Sequence, residues 1–101
     1  MQMDAYIYLR KKQKLVKDAT VHYDSALEGE DLLMACLEQV LDGWDLPRPM
    51  ILQRHCRDLE NFGRAIFKTD DFVESFPFDQ LEVELAARPD GIAEDYFDEF
   101  M

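Results

Sequence analysis

From Met3 to Arg10 the chain alternates with a period of two. Met3, Ala5, Ile7 and Leu9 fall on one side, and Asp4, Tyr6, Tyr8 and Arg10 on the other. Successive side chains of a strand point to opposite faces, so this is the pattern of a strand with one face buried. Leu15 to Tyr23 repeats it, with Leu15, Lys17, Ala19, Val21 and Tyr23 opposite Val16, Asp18, Thr20 and His22. The charged stretch from Lys11 to Lys14 connects the two, which predicts a hairpin. Gln80 to Leu85 alternates again, Leu81, Val83 and Leu85 against Gln80, Glu82 and Glu84. Arg64 to Lys68, centred on Ile66 and Phe67, supplies a fourth short strand.

Between these strands the period changes to that of a helix. Leu33, Leu37, Val40, Leu41 and Trp44 form one stripe, which predicts a continuous helix ending near Gly43 and Pro47. Ser25 and Glu28 match a capping box at its start, and Gly29 weakens the first turn. Leu52, His55, Cys56, Leu59 and Phe62 make a second stripe, with Pro49 placed for the first turn and Gly63 for the stop. Thr69, Asp70 and Asp71 can cap a single turn through Phe72 and Val73. The element order is therefore ββααββ. Two amphipathic helices and four half-buried strands satisfy one another in a two-layer α+β domain, with the helices packed on one face of a roughly four-stranded antiparallel sheet. Residues 1–88 are expected to form this single domain. Pro89-Asp90-Gly91 is a turn signal that sets off residues 89–101 as an acidic, aromatic tail.

The chain has 101 residues and is 48% apolar, enough for one core without a disulfide or metal staple. Its longest uninterrupted apolar run, Leu32 to Leu37, is far short of the roughly 20 residues that span a bilayer. Cys36 and Cys56 both fall within helical apolar patterns and read as core residues, so a cytoplasmic location is expected.

The net charge of −11 is unevenly placed. Residues 1–17 sum to +4, residues 18–69 to −5 and residues 70–101 to −10. Such a body repels nucleic acid and anionic membranes as a whole, so neither is the expected partner. Chemistry is poorly served. Zinc wants paired ligands at short spacing, and the one close pair, His55-Cys56, points its side chains about 100° apart on a helix. His55, with Asp58 three residues on, reads as a polar boundary residue. Glu82 and Glu84 lie about 6.6 Å apart on one strand face, as any such pair does. General acid catalysis needs one carboxyl in a dry site, and this face reads as wet. The sequence predicts no enzyme, no metal and no cofactor.

Two segments point to binding. Beyond Gly91, Ile92, Tyr96, Phe97 and Phe100 recur at helical spacing among Glu94, Asp95, Asp98 and Glu99. A segment this short holds no helix alone, and its aromatics give it reason to fold on a surface. The expected function is thus a small, non-catalytic protein–protein interaction module with a docking tail, its partner another protein or a second copy. The basic hairpin, Tyr6, Tyr8, Arg10, Lys11, Lys12, Lys14 and Lys17, is the complementary surface for such a tail. Its alternative role is single-stranded nucleic-acid binding, with bases on the tyrosines and phosphates on the cations.

Overall fold

A computed structural model describes residues 2–86. Its strands are β1 (Gln2–Lys11), β2 (Lys14–Asp24), β3 (Arg64–Lys68) and β4 (Gln80–Leu85). Its helices are α1 (Gly29–Glu38), α2 (Leu41–Trp44) and α3 (Gln53–Phe62), and Thr69–Asp71 forms one 3-10 turn. The four strands make one antiparallel sheet in the order β2-β1-β4-β3, an α+β fold as the alternating periods require. The last strand enters between the first and the third, so both central strands come from the ends of the described chain.

The inward faces follow the sequence alternation. Ala5, Ile7 and Leu9 of β1, Val21 and Tyr23 of β2, Ala65 and Phe67 of β3, and Leu81, Val83 and Leu85 of β4 are all buried. They meet Leu32, Leu33, Cys36 and Leu37 of α1, Leu41 of α2 and Leu59 of α3. Phe72 and Phe76 close the core from the β3–β4 connection, their rings stacked 3.9 Å apart.

Several local expectations give way to tertiary detail. The hairpin connector is a two-residue turn rather than four residues, with Lys12 and Gln13 both at positive φ (55° and 66°). That is the left-handed pair a tight hairpin loop needs, here without the glycine that favours it. A register shift follows: Leu9 faces Lys17, but Arg10 faces Leu15. Leu15 therefore leaves the side it was expected to share with Ala19, Val21 and Tyr23, and both Leu15 and Val16 are exposed.

The first helix is two pieces. α1 ends at Glu38, the chain turns through Gln39 and Val40, and α2 carries Leu41. The buried stripe survives the break because Val40 and Leu41 still point into the core. The expected capping box is not made. Glu28 is the N-cap and makes no side-chain bond, while Asp24 Oδ1 accepts the Ala26 N–H at 2.9 Å in a turn before it. Gly29 opens the helix at φ +56°, a conformation open to glycine at little cost. α3 starts four residues after Pro49, which is buried and bridges Phe72 instead of sitting in the first turn. Gly63 stops α3 in the left-handed region as expected, and its carbonyl accepts the Leu85 N–H at 2.7 Å.

The edge strand β2 is met by a side chain. Gln39 Oε1 accepts the His22 N–H at 3.2 Å, and Gln39 Nε2 donates to the His22 carbonyl at 2.6 Å. The amide pairs with His22 as a further strand would, which covers part of an edge open to association.

Two variants with effects of opposite sign test these backbone assignments. Gly29→Ala meets only ordinary contact, Cys56 Sγ at 4.0 Å, so its cost is the left-handed backbone alone, about 1–2 kcal/mol. Replacing the turn by Lys12→Asn with Gln13→Gly relieves the same strain and should stabilise the fold by about 1 kcal/mol. Chemical denaturation of both variants reads the two shifts.

Candidate functional site: the uncovered sheet face and the buried Asp71 cluster

Opposite the helices, the second face of the sheet carries the alternate residues in three cross-strand rows. Asp18, Tyr8, Glu82 and Ile66 stand side by side, as do Thr20, Tyr6, Glu84 and Arg64. Leu15, Arg10, Gln80 and Lys68 form the third, nearest the hairpin turn. No described helix packs on this face. Tyr6, Tyr8 and Ile66 remain half-buried there.

Glu82 corrects the expectation of a wet strand face, for it is only 6% exposed. Arg10 Nη1 donates to its Oε1 at 2.6 Å, and Arg64 Nη1 lies 4.0 Å from its Oε2. The Arg10 guanidinium also lies 5.3 Å from the Tyr8 ring centre. Burial, then the neighbouring Glu82 charge, pushes the Tyr8 phenol above its ordinary range. Further along, His22 Nδ1 and Asp4 Oδ1 are 2.8 Å apart. The charges of this face are largely committed to one another.

The cations grouped by sequence are separated in space. Arg10 is on the tyrosine face, tied to Glu82. Lys17 faces the helix side opposite Leu9, its ammonium 5.9 Å from the Trp44 ring. Lys11 and Lys14 pair with each other across the hairpin, and Lys11 reaches the Phe78 ring at 5.9 Å. Lys12 sits in the turn and donates its backbone N–H to Asp79. Tyr6 and Tyr8 thus share their face with Asp4, Asp18, Glu82 and Glu84 rather than with a lysine row. Ile92, Tyr96, Phe97 and Phe100 lie outside the described residues.

His55 is the residue that sequence reading misplaced. It is not a boundary residue beside Asp58. It is 1% exposed, with its ring 4.2 Å from that of Phe67. Its Nδ1 accepts the Leu52 N–H at 2.9 Å, capping α3 from the third helical position. The other nitrogen, Nε2, therefore faces Asp71 Oδ2 at 3.2 Å as the donor. Asp71 is 2% exposed and also accepts the Lys68 N–H at 3.0 Å and a hydrogen bond from Arg54. Burial raises the Asp71 carboxyl, but the Lys68 N–H, Arg54 and His55 together outweigh it, leaving it below its ordinary value of 3.8. The sequence signal was the acid ending the Thr69–Asp71 turn; its partner 16 residues earlier carried none.

Both His55 nitrogens and both Asp71 oxygens are engaged by the fold. Cys56 is not a core residue like Cys36, and lies half-exposed. Burial, with Glu30 and Glu60 nearby, pushes its thiol up, the opposite of the shift that activates a thiolate. Cys36 is pushed up to about 11 by burial alone. Among the described residues no three His, Cys, Asp or Glu side chains converge as a metal requires, and no helix is long and apolar enough to cross a membrane. Compared with protein-family models, with curated proteins and with solved structures, the chain gives no match.

Asp71→Asn leaves the Arg54 and His55 donors without their anion and should cost about 3 kcal/mol in denaturant unfolding. The pH dependence has a definite sign. A carboxyl lowered by folding stabilises fully above its unfolded value, and that contribution fades as pH falls through the lower folded value. Stability of the native chain should therefore drop below pH 4, and Asp71→Asn should flatten that limb.

Proposed function

We propose that this chain is a non-catalytic protein–protein interaction module. Its binding surface is the uncovered sheet face, and the acidic, aromatic segment 92–100 is a second docking element. One observation carries the reading: Tyr6, Tyr8 and Ile66 stand on a face that no described element covers, among charges that already compensate one another. Aromatic side chains amid neutralised charge suit a protein partner, since the contact buries their rings without stranding an ion. The partner this face fits presents apolar and aromatic side chains with few unpaired charges.

The nucleic-acid reading has the Tyr8–Arg10 stack in its favour. Against it, Arg10 is bound to Glu82, and acids stand in the tyrosine rows. Phosphate binding wants cations that are free to displace counterions.

The test compares full-length protein with Tyr6→Ala/Tyr8→Ala and with Tyr96→Ala/Phe97→Ala/Phe100→Ala as baits in native lysate. A protein retained by the native chain is then purified and its affinity measured against each variant. Loss of a central tyrosine typically costs about 2 kcal/mol, so about 30-fold weaker binding is expected for the sheet-face pair. Equal binding by both variants would sink the reading. Salt-sensitive binding of a single-stranded oligonucleotide, lost with the tyrosines, would favour the alternative.

A further inference from the structure

The uncovered sheet face has the composition of its own partner. Its cross-strand rows hold the acids Asp18, Glu82 and Glu84 and the bases Arg10, Arg64 and Lys68. These charges cancel, on a chain whose net charge is −11. Two copies therefore repel one another least where these faces meet.

The charges are also ordered across the sheet. Asp18 stands on the edge strand β2, while Arg64 and Lys68 stand on the opposite edge, β3. All three are exposed, and neither Asp18 nor Lys68 joins an ion pair among the described residues. Two copies stacked face to face with aligned strands are related by a two-fold axis across the strands or along them. An axis across the strands lays β2 on β2 and β3 on β3, so like charges meet. An axis along the strands, midway between β1 and β4, lays β2 on β3. Asp18 then faces the second copy's Ile66, with that copy's Arg64 and Lys68 about 7 Å to either side along the strand. Tyr8 faces Glu82 in the same way, a phenol donor opposite a carboxylate acceptor.

We propose that the chain forms a two-fold dimer through its open sheet face, Asp18 of each copy meeting Arg64 and Lys68 of the other. Tyr6, Tyr8 and Ile66 from both copies fill the space between the sheets. The patch is about 20 Å wide across its four strands and about as long. That is small for a specific interface, so the dimer is reversible, with a Kd in the roughly micromolar range. The inference rests on the proposed function for its surface and names the partner as a second copy. Its test uses no lysate partner and no tyrosine variant. A monomeric native chain would remove the second copy and still leave the tyrosine face to a different protein.

Sedimentation velocity of the full chain between about 5 and 500 µM measures the association. The native mass should climb toward that of a dimer over this range. Asp18→Lys and Arg64→Glu/Lys68→Glu each set like charges face to face and should weaken self-association at least about tenfold. Mixed in equal amounts, the two variants should recover native association. In the mixed dimer the introduced ammonium meets the introduced carboxylates, and Asp18 of one copy meets the native bases of the other. Recovery also shows that both variants are folded. Net charge alone gives a different order, because the less acidic Asp18→Lys would then associate most by itself. A native chain that stays monomeric throughout would overturn the proposal. So would a mixture no more associated than Asp18→Lys alone.

Discussion

The antiparallel pairing of β1 with β4 holds the rest of the molecule in place. It sets Ala5 against Leu85, Ile7 against Val83 and Leu9 against Leu81, joining the two ends of the described chain. Without it the β1–β2 hairpin is a two-stranded ribbon, marginal by itself in water. β3 would have no neighbour, and α1 and α3 would have no common surface for their leucines. With it, ten inward side chains from four strands present one floor, and each helix buries its stripe on that floor. These pairs span more than 70 residues of sequence, so this contact closes the longest loop in the sheet and carries its largest closure entropy.

A second constraint fixes the segment from Pro49 to Asp71, which carries α3, β3 and the 3-10 turn. Asp71 gathers the Lys68 N–H, Arg54 and His55, and its own carbonyl accepts the Met50 N–H at 2.7 Å. One buried residue thus ties three places together: its carboxylate holds the start of α3 and the end of β3, and its carbonyl holds the loop before α3. Every polar atom in the cluster has a partner, which is the condition under which a buried charge orders a fold instead of weakening it.

The same packing decides what is left for binding. The helices occupy one face and leave the other to Tyr6, Tyr8 and Ile66. Arg10 is drawn to Glu82, which turns a cation that could have met phosphate into part of a neutral surface. Lys11, Lys14 and Lys17 are carried to the helix side by the alternation of the hairpin.

By itself, the sequence determined the fold class, the four strands and the inward set of most of them. Period-two and period-3.6 patterns report burial directly, and burial is what these elements have in common. It also placed Gly63 at a helix end, because only a residue without a Cβ takes that backbone cheaply. It did not determine the strand order, the break between α1 and α2, the shift that exposes Leu15, or the His55–Asp71 pair. Each of these depends on contacts between distant residues that leave no local period. Tyr6 and Tyr8 could be placed on the open face by counting. That Arg10 stands beside them bound to Glu82, while the lysines do not, was decided only by the tertiary structure, which sets which strand lies next to β1 and in what register.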